Sequence, residues 1–68
     1  HSFDSLSARE KEVLSALGQG MNQNKISEIL FLSPKTVHTY KQRIMSKLKL
    51  NSNADIIKYC IEKQLVST

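Results

Sequence analysis

Acidic residues are missing from the whole central stretch between Glu28 and Asp55, while Lys35, Lys41, Arg43, Lys47 and Lys49 all fall inside it. Other absences narrow the field. The single cysteine, Cys60, excludes an internal disulfide, and two isolated histidines at positions 1 and 38 give no zinc-like spacing. No metal, cofactor or acid–base pair is therefore expected, and Ser7 and Ser33 are better explained as helix caps than as nucleophiles. Tryptophan is absent, and Phe3, Phe31, Tyr40 and Tyr59 are too scattered to form a stacking platform for single strands. The longest apolar run, Ile29 to Leu32, is far too short to cross a bilayer. No signal peptide is visible, so a reducing, cytoplasmic setting is expected. No strand candidate, repeat or low-complexity tract is present. Sixty-eight residues make one domain, near the lower limit for a core without staples.

What remains is a pattern of short amphipathic helices and a net charge of +4. Residues 1–5 have no periodicity and read as a linker remnant from an upstream domain; residues 6–66 form the domain proper. Ser7-Ala-Arg-Glu10 is a capping box, and Val13, Leu14 and Leu17 follow at helical spacing, so a first helix should run from Ala8 to about Leu17. Gly18 and Gly20 permit the turn that follows. Asn22 caps a second helix carrying Ile26, Ile29 and Leu30, which ends near Phe31. Only Leu32 and Ser33 separate it from Pro34, a first-turn proline. Two helices joined so briefly must cross steeply, which is helix-turn-helix geometry. Ser52 opens a fourth helix with Ile56, Ile57, Cys60 and Ile61, ending around Lys63, and Leu65 and Val66 are expected to tuck against the bundle. The fold class is all-α: a compact four-helix domain with a central helix-turn-helix.

The third helix carries the chemistry. With Lys35 at zero and 100° per residue, Val37, Ile44 and Leu48 fall at roughly 200°, 180° and 220°, an apolar seam. Opposite lie Lys35, Thr39, Gln42 and Ser46, flanked by His38 and Arg43. An ordinary solvated face mixes both signs of charge; this one offers donors, acceptors and cations only. It suits phosphates and base edges. His38 and Thr39 in the first turns, and Gln42 one turn on, are the candidate base contacts, Gln42 because its amide matches adenine N6 and N7. Lys35, Lys41, Arg43 and Lys47 are candidate phosphate contacts, which position without specifying. Tyr40, at the edge of the seam, is expected to pack.

Leu6-Ser-x-Arg9-Glu10-x-Glu12-Val13-Leu14, then Gly20, Ile26, Leu32-Ser-x-Lys-Thr-Val37 and Lys47-Leu48 resemble the LuxR-type (GerE-like) helix-turn-helix domain, from about Leu6 to Cys60. That family places the domain at the C-terminus of bacterial transcription regulators, behind a receiver or a ligand-sensing domain. The resemblance implies double-stranded promoter DNA as partner, with the third helix in the major groove and Lys25 and Thr36 added to the phosphate contacts. It also implies RNA polymerase as a further partner and no membrane. The fourth helix would pair with its twin as a weak homodimer on DNA. Three departures stand out. Gln23-Asn24-Lys25-Ile26-Ser27 replaces the family's Asn-Lys-Glu-Ile-Ala, Lys49 replaces the glycine after Lys-Leu, and Ser52-Asn53 replaces Asn-Arg.

The apolar arc of the fourth helix spans roughly 140°, wider than the ~100° one core-facing stripe requires. Ala54, Ile57 and Ile61 lie on one side and Ile56 and Cys60 on the other. The family alignment favours Ile56, Tyr59 and Cys60 as the outward, dimer-forming set. A protein-interaction module with a merely solubilising basic face is the alternative from another class; salt-dependent, sequence-selective binding to duplex DNA separates the two.

Overall fold

The computed structural model describes residues 3–65. A 3-10 turn over Phe3–Ser5 leads into α1 (Ala8–Gly18), α2 (Gln23–Leu30), α3 (Pro34–Leu48) and α4 (Asn53–Glu62), with no strand among the described residues. Each α-helix begins where a side chain accepts from an otherwise unpaired amide. Ser7 Oγ accepts from the Glu10 N–H at 3.1 Å while Glu10 Oε1 accepts from the Ser7 N–H at 2.7 Å, the full reciprocal box. Asn22 Oδ1 serves Lys25, Ser33 Oγ serves Thr36 and Ser52 Oγ serves Asp55. The four starts are those the sequence indicates.

The helix ends are less ordinary. Gly20 takes φ +88° in the turn after α1. Gly18 is simply the last residue of that helix. Phe31, Lys49 and Gln64, after the other three helices, adopt φ near +57° with a Cβ present. Each such residue costs about 1–2 kcal/mol relative to glycine's freedom. The geometry persists because the next residue folds back: Leu50 N–H reaches Met45 O at 2.9 Å and Leu65 N–H reaches Cys60 O at 2.8 Å.

Leu6, Val13, Leu14, Ile26, Val37, Ile44, Ile56 and Cys60 form the core, with every helix contributing. α1 lies at the centre, packed against α4 and α3, and α2 crosses α3. The seam predicted for α3 is there: Val37 and Ile44 are buried and Leu48 is half-buried against the core. Tyr40 packs there too.

Two expectations are revised. Ile56 and Cys60 are at most 1% exposed and belong to the core, whereas Ala54, Ile57 and Ile61 face outward, so the outward side of α4 is the reverse of the one the family alignment favoured. The reason is the fit to α1: the small Cys60 side chain lets α4 approach closely enough for its thiol to donate to Leu14 O at 3.5 Å. Burial pushes the Cys60 thiol pKa up, keeping it protonated for that bond. Tyr59 is half-buried, and burial raises its hydroxyl pKa. The second revision concerns the N-terminal linker. Phe3 packs against the core with Lys11 Nζ 4.8 Å from its ring centroid, so residues 3–5 are part of the folded unit. Leu65 does tuck back; His1 and Val66 lie outside the described residues.

A charged contact also joins distant parts of the chain. Lys47 Nζ, on the last turn of α3, donates to Glu10 Oε1 at 2.9 Å and to Ser5 O at 3.3 Å. Glu10 is only 3% exposed. Its carboxyl pKa is held below the usual value, first by the Ser7 amide and then by Lys47. A lowered folded pKa means stability that is present above the ordinary carboxylate value, about 4.3, and lost as pH falls through the lower one. Acid titration of thermal stability should therefore show a decline below about pH 4 that is shallower in Glu10→Gln than in the unaltered chain. Because the Lys47 side chain is 41% exposed, Lys47→Met should cost on the order of 1 kcal/mol rather than the 3–5 of a fully buried pair. An unchanged melting midpoint in that variant would show that water replaces the ammonium without loss.

Candidate nucleic-acid interface

Ser33 and Pro34 fix the start of α3, and the Ser33 hydroxyl also bonds the Thr36 hydroxyl at 2.8 Å. Thr36 is half-buried and occupied in this cap, so its hydroxyl serves the helix start before any ligand. From there α3 runs for 15 residues, about 22 Å at 1.5 Å per residue. Lys35, His38, Thr39, Gln42, Arg43 and Ser46 are all exposed on the side away from Val37 and Ile44. Among the described residues, neither Lys35 nor Arg43 forms an ion pair; the pairs present are Arg9 with Glu12 and Lys47 with Glu10. Unpaired cations on a face without carboxylates attract an external polyanion rather than each other.

The three candidate base contacts differ in what they offer. The Thr39 hydroxyl donates to Lys35 O at 3.1 Å, which engages its proton within the helix. His38 and Gln42 keep their full donor and acceptor capacity at the surface. The three side chains share one face.

The candidate phosphate contacts divide. Lys25 is exposed in the first turn of α2, and neither α2 nor α3 carries an acidic residue in its first turn. The partial positive charge of both helix N-termini is thus uncancelled. Lys25, Lys35 and Arg43 remain available. Lys41 is half-buried and forms part of the wall of a cavity of about 270 Å³ with Leu17, Met21, Val37 and Ile56, off the face that holds Gln42. Lys47 is committed to Glu10 and Ser5. The signal was present in the helical wheel: Lys41 falls at roughly 240°, beside the seam, and Lys47 at roughly 120°. No group of three or more His, Cys, Asp or Glu residues suited to a metal occurs among the described residues. No helix among them is long and apolar enough to cross a membrane.

Comparison with known proteins agrees with this geometry. The family model described as bacterial regulatory proteins, luxR family, matches residues 4–60. The chain is 41% identical over 64 residues to the oxygen regulatory protein NreC of Staphylococcus aureus strains JH9, JH1 and Mu3. That match covers 94% of this chain and 30% of each of those proteins, so the chain spans under a third of their length. No solved structure matches the chain to the same standard.

If the acid-free face meets phosphates, Lys35→Ala and Arg43→Ala should weaken binding to specific and random duplexes by similar factors. Each should also reduce the slope of log affinity against log salt by about 0.9. Lys47→Met should leave that slope intact while lowering thermal stability. A slope change in Lys47→Met equal to that in Lys35→Ala would return Lys47 to the DNA contacts.

Proposed function

The chain belongs to the LuxR family of bacterial regulatory proteins, and on that premise we propose that it is the sequence-specific, duplex-DNA-binding effector domain of a transcription regulator. Membership makes it a regulatory rather than a catalytic domain. The observation that carries the proposal is the exposed face of α3, where Lys35, His38, Thr39, Gln42 and Arg43 stand without a carboxylate among them. A helix some 10–12 Å across fits a major groove about 12 Å wide. Entering it, α3 would present His38, Thr39 and Gln42 to base edges: Gln42 to adenine, and Thr39 through its methyl to a thymine methyl. Lys25, Lys35, Arg43 and the N-termini of α2 and α3 would hold the flanking phosphates and set the register.

Pairing of two copies on DNA is supported by the outward side of α4. Its outward residues Ala54, Ile57 and Ile61 lie within one stripe, and Ile57 and Ile61 are 37% and 45% exposed. A patch so small supports only weak association in solution, but two adjacent half-sites raise the local concentration enough to bring it into play. The relatives named as oxygen regulatory proteins are more than three times longer than this chain, which favours a place at the output end of a larger, signal-receiving regulator of the two-component type. Such a regulator would act in the cytoplasm and engage RNA polymerase at the promoter.

Two variants test the reading. Gln42→Ala should lose discrimination at one or two base pairs, on the order of 1–3 kcal/mol, in a selection from a random duplex library. An equal loss on all sequences with the preferred site unchanged would make Gln42 a positioning residue. Ile57→Glu or Ile61→Glu should leave folding and half-site affinity intact and abolish cooperative occupancy of a paired site, whereas Ile56→Glu should unfold the domain. Cooperativity untouched by both outward substitutions would place the pairing surface outside α4.

A further inference from the structure

Lys49 is the residue whose presence the fold itself least explains. It follows the last residue of α3 and takes φ +57°, ψ +46°. Its N–H reaches Ser46 O at 3.4 Å, the next N–H reaches Met45 O, and Leu50 turns in against the core. This closing loop needs a left-handed residue at position 49, and glycine would take that conformation without strain. The lysine side chain is exposed and, among the described residues, makes no ion pair or side-chain hydrogen bond that would favour it over glycine.

Its position does suggest a use. Lys49 lines an open depression together with Gln42, Ser46 and Asn51, which puts it on the same side of the domain as Gln42. No acidic residue lies between Glu28 and Asp55, so this end of the face is as free of carboxylates as the rest of α3. Lys35 marks the opposite end of the helix. Fourteen residue steps separate the two lysines, about 21 Å along the axis, more than the roughly 12 Å width of a major groove. With the axis of α3 crossing the groove obliquely, a span of that length would bring one lysine to each bank.

We propose that Lys49 is a DNA phosphate contact, held in a strained backbone conformation at the end of the recognition helix, that grips the strand opposite the one held by Lys35. The proposal rests on the DNA-binding reading above. Its weight lies in a prediction of opposite signs: removing the side chain improves the fold and impairs the binding.

The experiment compares the unaltered chain with Lys49→Gly, Lys49→Arg and Lys35→Ala, by thermal melting and by salt titration of binding to a duplex carrying one preferred half-site. Lys49→Gly should raise the melting midpoint by a few degrees, because the left-handed strain is relieved. The same variant should bind about 3–10-fold more weakly near 0.1 M salt, with a slope shallower by about 0.9. Lys49→Arg should keep the affinity and slope of the unaltered chain. An unchanged slope in Lys49→Gly, alongside the expected loss in Lys35→Ala, overturns the proposal while leaving the DNA-binding reading standing. A lowered midpoint with unchanged slope also overturns it, assigning the lysine to the negative end of the α3 dipole. Absence of salt-dependent duplex binding by the unaltered chain overturns both.

Discussion

The buried carboxylate of Glu10 is the constraint on which the arrangement depends. It closes the cap of α1 by accepting from Ser7, and its charge, almost out of water, is stabilised by that amide and by a nearby cation. Lys47 supplies one from 37 residues away, and with its second donor holds the carbonyl of Ser5. The start of the domain, the central helix and the far end of α3 are thereby tied at one point. Apolar packing alone is non-directional and would tolerate some rotation of α3 about its seam. A short hydrogen bond to a fixed carboxylate does not. The orientation in which α3 offers Gln42 and His38 to the outside is set as much by this tie as by Val37 and Ile44.

α3 thus divides its circumference into three kinds of surface. Val37, Ile44 and Leu48 face the core, Lys47 faces α1, and Lys35, His38, Thr39, Gln42 and Arg43 face out. That division explains how a domain with so small a core can devote a whole face to a ligand. The same economy governs α4: Ile56 and Cys60 complete the core, and Ile57 and Ile61 stay exposed. It also accounts for the strained residues that flank α3. Phe31 closes α2 and Lys49 closes α3, each in the left-handed conformation that a short connection imposes.

Phe31 belongs to the same pattern with the opposite chemistry. It is 94% exposed in a left-handed conformation, beside a helix whose outer side also shows Ile29 at 46%. An exposed aromatic in a strained position is doubly unfavourable for an isolated domain.

Much of this was determined by the sequence on its own. Ser7, Asn22, Ser33 and Ser52 mark the helix starts because a cap is a local bond, made between residues three apart whatever the rest of the chain does. The seam of α3 and the acid-free face opposite it follow from helical periodicity, which is equally local. Only the tertiary structure decided which side of α4 turns inward, because Ile56 and Ile57 are equally apolar and the choice lies in how closely Cys60 lets α4 approach Leu14. Only it could show Lys47 paired with Glu10 and Lys41 set beside the core, since a lysine's surroundings depend on what stands across from it. Glu10 is 37 positions from Lys47, and no period or motif in the sequence links them. Local geometry is written in neighbouring residues; the pairing of surfaces is settled when the helices meet.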